Sequence, residues 1–263
     1  MAYLKCLRGT LKTIPTGSTA TPTDDIQTLL NCADIWDKSY TTLSELLADT
    51  TTLQAVISSN NAIDYLVRST TWASGMCANS TAMSYIGLNN YASNTLLADS
   101  TWCNAICNST YFESVLNVKV PIMTSDNTPS GECFASSNNN LAYKVFDGIE
   151  TGATAWYTSG NGVVGDYVGY DFGSNKKIYK AIVKSQYNTA SDPRLKNYKY
   201  QGFNGTTWVD ISAEITAPTL TTVWSQETLL NAGDYSKVRL YSTSALGDQL
   251  FIFALQFYGR ADV

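Results

Sequence analysis

The sequence predicts a two-part chain, an N-terminal arm and a mostly α region of short repeated helices followed by an all-β sandwich. Three observations carry this. From Thr42 to Asn117, apolar or aromatic openers recur 8 to 11 residues apart, each followed by a cluster of Asn, Asp, Ser and Thr. Past Pro121 the pattern changes to short β-rich runs broken by Gly, Asn, Asp and Pro. Between two of those runs lies Asn204-Gly205, a hairpin signal because both residues tolerate the positive φ of a tight turn. The resulting divisions are an arm and linker over 1–23, a helical repeat for anchoring and assembly over 24–119, and a sandwich over 120–263.

In the arm, Tyr3, Leu4, Leu7 and Leu11 alternate with polar residues before the Pro15-Thr16-Gly17 and Thr21-Pro22-Thr23 breaks. Such a strand docks on another chain or frays as a terminus. Asp24 and Asp25 then stand where a helix N-terminus favours negative charge, ahead of Ile26, Leu29, Leu30, Ala33 and Trp36 at helical spacing. The openers Leu43, Leu53, Ile63, Trp72, Met83, Tyr91, Trp102 and Tyr111 mark helices of about two turns. The polar closures between them, such as Asp49-Thr50-Thr51, Ser58-Ser59-Asn60 and Asn79-Ser80-Thr81, supply side-chain oxygens that cap the next helix. Helices this short cannot hide an apolar face alone, so they must stack on neighbouring units or on another chain.

In the second half, candidate strands are Val163–Phe172, Ile178–Ser185, Leu195–Phe203, Trp208–Ile211, Val238–Tyr241 and Phe251–Tyr258. Lys176, Lys177, Lys180 and Lys184 fit solvated strand edges, where lysine discourages pairing with other chains. Four blocks stand in order over this half. They are Ala142-Tyr143-Lys144-Val145-Phe146-Asp147-Gly148 with Thr154-Ala155-Trp156, then Tyr167-Val168-Gly169-Tyr170-Asp171-Phe172-Gly173, then Pro193 through Gln201-Gly202-Phe203-Asn204-Gly205 to Trp208, and Leu255-Gln256-Phe257-Tyr258-Gly259. Together they resemble the discoidin, or galactose-binding-like, family, which implies a jelly-roll sandwich that binds ligands through loops at one end.

The resemblance implies that Trp156 and Trp208 are core plugs. It also implies a structural calcium ion, for which Asp147 and Thr154 are the candidate ligands. The chain departs from the family here, since Ile149 replaces the usual Asn, two extra residues precede Thr154, and Ala254 stands where a Glu is expected. Candidate ligand-binding residues are Tyr157, Tyr187, Asn188, Arg194 and Trp224. Aromatic faces stack on sugar rings, while amide and guanidinium groups bond hydroxyls; each residue type also serves as ordinary loop structure.

Composition narrows the chemistry. The chain has 263 residues, 44% of them hydrophobic and 15% charged, and a net charge of -5 shared by both halves. Neither half is a polycation, which argues against binding nucleic acid through phosphates. No histidine is present, so histidine-based triads and zinc sites are excluded and the expectation is a protein that is not an enzyme. Six cysteines, five of them in the first half, lack the pattern of a secreted disulfide framework and read as reduced thiols. The opening residues lack a signal-peptide core and no run is long enough to cross a bilayer, so folding in a cytoplasm without membrane insertion is expected.

The order of arm, capped-helix repeat and terminal sandwich resembles structural and adhesion proteins of tailed bacteriophage particles. That resemblance implies a virion protein that anchors to other virion proteins through its N-terminal region, displays the sandwich to a host cell-surface glycan, and forms a homo-oligomer. A purely architectural subunit that binds no glycan, and an accessory carbohydrate-binding module of a bacterial hydrolase, are the alternatives.

Overall fold

The computed structural model describes residues 26–69, 71–150, 154–186, 188–189 and 194–261. The arm and linker over 1–23, the Asp24-Asp25 pair and Tyr187 lie outside the described residues. The chain divides into two compact units, one ending at Val115 and one beginning at Leu116.

The first unit is a coil of short helices: α1 (Ile26–Cys32), α2 (Leu43–Ala48), α3 (Thr50–Ser58), α4 (Asn60–Leu66), α5 (Thr71–Cys77), α6 (Ser80–Leu88), α7 (Asn90–Ala98) and α8 (Ser100–Asn108). At four junctions the residue that ends one helix starts the next. Asp49, Ser59, Asn89 and Asp99 are at once C-cap of one helix and N-cap of another, and their side-chain oxygens accept the first backbone N–H groups of the helix that follows. Thr42 and Glu45 close a reciprocal capping box on α2.

The helices stack on one another with a period of three: α1 on α4, α2 on α5, α3 on α6, α4 on α7 and α5 on α8. One coil is therefore three helices, roughly 30 residues, within the range of solenoid repeats. Leu53, Val56, Ile63, Leu66, Met76, Met83, Ile86, Leu96, Trp102 and Ile106 form its interior, each fully buried. Glycine permits the closest passages. A Cβ at Gly87 would lie 1.8 Å from the Ser114 carbonyl oxygen.

Successive coils are also stitched by polar bonds. Ser59 Oγ donates to the Cys32 carbonyl at 3.1 Å, Asn89 Nδ2 to the Ile57 carbonyl at 2.9 Å, and Ser109 Oγ to the Cys77 carbonyl. Ser59 and Asn89 thus satisfy an orphan N–H of their own helix and an orphan C=O of a helix in the preceding coil. The five described cysteines are free thiols, and burial pushes Cys77 and Cys133 up to about 12.

The second unit is an antiparallel sandwich. Its strands are β1 (Val118–Lys119), β2 (Glu132–Ala135), β3 (Trp156–Tyr157), β4 (Tyr167–Ser185), β5 (Asn197–Phe203), β6 (Trp208–Asp210), β7 (Ile215–Thr216), β8 (Trp224–Ser242), β9 (Phe251–Ile252) and β10 (Ala254–Arg260). The runs expected at Val163–Phe172 and Ile178–Ser185 are one strand, β4, whose exposed Gly173-Ser174-Asn175 step reads as a break in sequence but is spanned by a register shift. Most of β8 was not expected. Strand β4 pairs with β8 along nearly its whole length, with irregularities between Asp171 and Lys176 and between Ile178 and Lys180.

These shifts bend the pair so that its two halves serve two layers. The first half of β4 joins β2, the end of β8, β5 and β6; the second half joins β10 and the start of β8. Between the layers pack Val168, Tyr170, Ile178, Val183, Tyr198, Tyr200, Val238, Leu240, Leu255 and Phe257. The Tyr200 and Phe257 rings meet edge to face at 5.8 Å across the layers. The Asn204-Gly205 hairpin forms as a four-residue loop in which Asn204 Oδ1 accepts from Thr206 and Thr207 N–H and Gly205 takes φ 94°.

Two expectations about single residues are corrected. Lys180 is 2% exposed, in an interior strand, and forms an ion pair with Glu227 at 2.6 Å; it does not line an edge. Trp156 is a core plug, fully buried with its Nε1 donating to the Ser137 carbonyl at 2.8 Å, but Trp208 sits half-buried on the outer face of the sheet.

The coil stitching is measurable. Asn79 only caps α6 whereas Asn89 caps α7 and also bonds the preceding coil. Asn79→Ala is expected to cost about 1 kcal/mol, and Asn89→Ala about 1 kcal/mol more, in urea unfolding of the full chain; equal costs would refute the stitch. A second prediction concerns acid. Hydrogen bonds from Tyr40, the Thr52 N–H and Lys38 hold the Asp49 carboxyl well below the usual carboxylate range. Its stabilising effect is complete above the unfolded value near 3.9 and is lost as pH falls through the lower folded value. Asp49→Asn is therefore expected to make the loss of stability below about pH 4 less steep, read by circular dichroism across an acid titration.

Candidate functional site

At one end of the sandwich the two-residue strands β3 and β9 pair, Trp156 with Ile252 and Tyr157 with Phe251. Alternation turns Trp156 and Ile252 into the core and leaves Tyr157 and Phe251 half-buried on the other side. Their rings stack at 6.1 Å between centroids and 10° between planes. Phe253 supports the pair edge-on, 5.2 Å from Phe251 at 87°.

The segments carrying this pair are locked by hydrogen bonds centred on Thr158. Its Oγ1 donates to the Gly160 carbonyl and accepts from the Leu250 N–H, while its own carbonyl accepts from Gln249 Nε2. Beside the rings, the Arg194 carbonyl accepts from the Phe251 N–H at 2.9 Å, and the Arg194 N–H donates to Asn188 Oδ1 at 2.9 Å. The guanidinium of Arg194 meets Asp248 at 3.1 Å, with the carboxylate the more exposed partner. The result is a flat aromatic pair and, on segments bonded to or preceding Phe251, a preset guanidinium–carboxylate pair.

The structure therefore links Tyr157, Arg194 and Asn188 through Phe251. Their roles differ. Tyr157 is half-buried on the outer side of β3 and the Arg194 guanidinium, 14% exposed, is engaged with Asp248, whereas Asn188 is 4% exposed and its amide is engaged with Pro218 and Arg194. Trp224 does not belong to the cluster: it is 4% exposed, opposite Ser185 at the start of β8, and packs in the core. In sequence the polar residues around it, Thr221, Thr222, Ser225 and Gln226, hide that it opens a strand. Phe251 and Asp248 were missed, because their partners Tyr157 and Arg194 lie 94 and 54 residues away in sequence and nothing local marks them.

Of the two candidate calcium ligands, one side-chain oxygen already holds a turn and the other has no hydrogen-bond partner. Asp147 Oδ1 accepts from the Ile149 N–H at 2.8 Å and so holds the Asp-Gly turn, in which Gly148 has φ 76°. Thr154 Oγ1 is buried without a hydrogen-bond partner, and Ala254 offers no carboxylate. Among the described residues no group of three or more His, Cys, Asp or Glu is placed to hold a metal, Cys103 and Cys107 included. Calcium needs about six to eight oxygens.

No protein-family model and no curated protein matches this chain. Among solved structures, chitosan-binding module 1 of a chitosanase/glucanase from Paenibacillus sp. IK-5 is similar at 19% identity, covering 51% of this chain and 98% of that one with a TM-score of 0.40. The family 32 carbohydrate-binding module of Clostridium perfringens NanJ, solved with galactose, is similar at 15% identity, covering 54% and 99% with a TM-score of 0.39. Chitosan-binding module 2 of the Paenibacillus enzyme, solved with chitotriose, is similar at 20% identity, covering 49% and 96% with a TM-score of 0.38.

Chelation tests the metal reading directly. Excess EDTA is expected to leave the thermal midpoint of the full chain unchanged; a fall of more than about 2–4 °C, equivalent to about 1 kcal/mol at this size, would show that an ion is held.

Proposed function

We propose that the protein is a non-enzymatic glycan-binding protein whose sandwich holds a saccharide at the Tyr157–Phe251 rim and whose helical coil serves as a rigid spacer and assembly element. The observation that carries the reading is the stacked Tyr157 and Phe251 pair beside the Arg194–Asp248 ion pair. A sugar ring offers an apolar C–H face to the aromatic rings, while its hydroxyls donate to the carboxylate and accept from the guanidinium. The chain has no histidine to act as a general base, which favours binding over turnover. Within this reading the chain is a virion component of a tailed phage, assembled in the host cytoplasm, that anchors by its N-terminal region in a homo-oligomer and shows the rim to the host surface. A coil whose successive circuits are bonded to one another suits that spacer role.

The test is a glycan array followed by titration calorimetry on the best binder. Tyr157→Ala and Arg194→Ala are expected to weaken binding by about tenfold or more, about 1.4 kcal/mol, without changing the unfolding midpoint for Tyr157→Ala. Unchanged affinity in both variants would overturn the site. Recovery of the chain within intact phage particles supports the virion setting, and its recovery joined to a hydrolase would replace it with the accessory-module reading.

A further inference from the structure

We infer that the outer face of the first sheet layer carries a second binding groove, suited to an uncharged saccharide and separate from the loop-end rim. The face is built by strand alternation across β2, β4, β8, β5 and β6. One row of register partners runs Phe134, Gly169, Arg239, Gln201, Asp210, and the next runs Glu132, Asp171, Lys237, Phe203, Trp208. Their neighbours in sequence, Tyr170, Val238 and Tyr200 among them, point the other way into the core. The aromatic rings of these rows are therefore not needed to fill the core, yet they cluster: Phe134 and Trp208 lie 5.9 Å apart and Phe203 and Trp208 5.6 Å.

The groove they border has a volume of about 340 Å³, at the lower end of ligand pockets. Gly169 lets two lining residues pack close over the strand, since a Cβ there would come within 2.6 Å of the Phe134 ring and 2.8 Å of Arg239 Cβ. One wall is preset. The Arg239 guanidinium lies 4.0 Å from the Trp208 ring centroid and 4.6 Å from that of Tyr167, and its Nε donates to Gln201 at 2.9 Å. Lys237 is held by Asp171 at 2.7 Å. Glu132 is exposed and makes no side-chain hydrogen bond or ion pair with a described residue, so its carboxylate is open to donors from a ligand.

Charge decides the ligand class. Glu132 and Asp171 are balanced by Lys237 and Arg239 within the groove, so neither an anionic nor a cationic sugar gains net attraction. An aromatic surface ringed by both donors and acceptors matches the alternating C–H and hydroxyl surfaces of a neutral ring.

The experiment uses the full chain labelled with ¹⁵N, titrated with cellotriose and triacetylchitotriose as neutral probes and with trigalacturonate and the glucosamine trimer as charged ones. The Trp208 indole N–H resonance, identified from its loss in Trp208→Phe, is expected to shift saturably with a neutral probe. Glu132→Ala, at an exposed position with no partner to lose, is expected to weaken the affinity read from that shift by about tenfold, and Trp208→Ala to weaken calorimetric binding of the same probe by about tenfold, whereas Tyr157→Ala leaves the shift intact. No shift at Trp208 with any neutral probe overturns the groove, as does a preference for a charged trimer or loss of the shift in Tyr157→Ala. Sedimentation showing self-association abolished by Glu132→Ala also overturns it, by making the face a contact between copies. Because Tyr157→Ala reports on the rim alone, failure of either site is seen separately from failure of the other.

Discussion

The long pairing of β4 with β8 is the constraint on which the sandwich depends. A straight strand of 19 residues would extend about 65 Å, several times the usual strand length of about 17–20 Å, and could not bury both its ends in one core. The irregularities after Asp171 and Ile178 solve this by turning the same two strands through both layers. One main-chain ladder then sets which side chains of each half face inward. Tyr170 and Val238 enter the core because of it, and by the same alternation Asp171 with Lys237, and Arg239 one row further, are placed on the outer face.

The rim and the outer groove are consequences of that ladder in different degrees. The rim is built on short strands and loops, so it is fixed by added bonds: Thr158 to Leu250, Ser185 to Phe251, Arg194 to Asn188. The groove is built on the strands themselves and inherits their rigidity. Both place aromatic rings next to charges that are already paired, which lowers the entropy lost when a ligand is ordered against them.

What the sequence disclosed followed the range of the interaction. Helix caps were legible because Asp49, Ser59, Asn79 and Asp99 bond to backbone two or three residues away. The hairpin at Asn204-Gly205 was legible for the same reason. The first half of β8 was not, because its polar alternation at Ser225, Glu227 and Asn231 hides a strand with only one buried face. At the rim, Tyr157 and Arg194 were visible as residue types, but Phe251 and Asp248 become their neighbours only when β9 returns to β3. Trp156 and Trp208 look alike in a motif; only the sheet distinguishes an inward position from an outward one.

The junction residues of the helical coil also govern how such a region can grow. Because Ser59 and Asn89 each reach back to a carbonyl one full circuit earlier, an insertion of one or two helices would aim every later junction at the wrong side of the stack. A gain or loss of three helices keeps each donor over its acceptor. Reach in this architecture is therefore quantised, and length variants that still fold should differ by whole circuits.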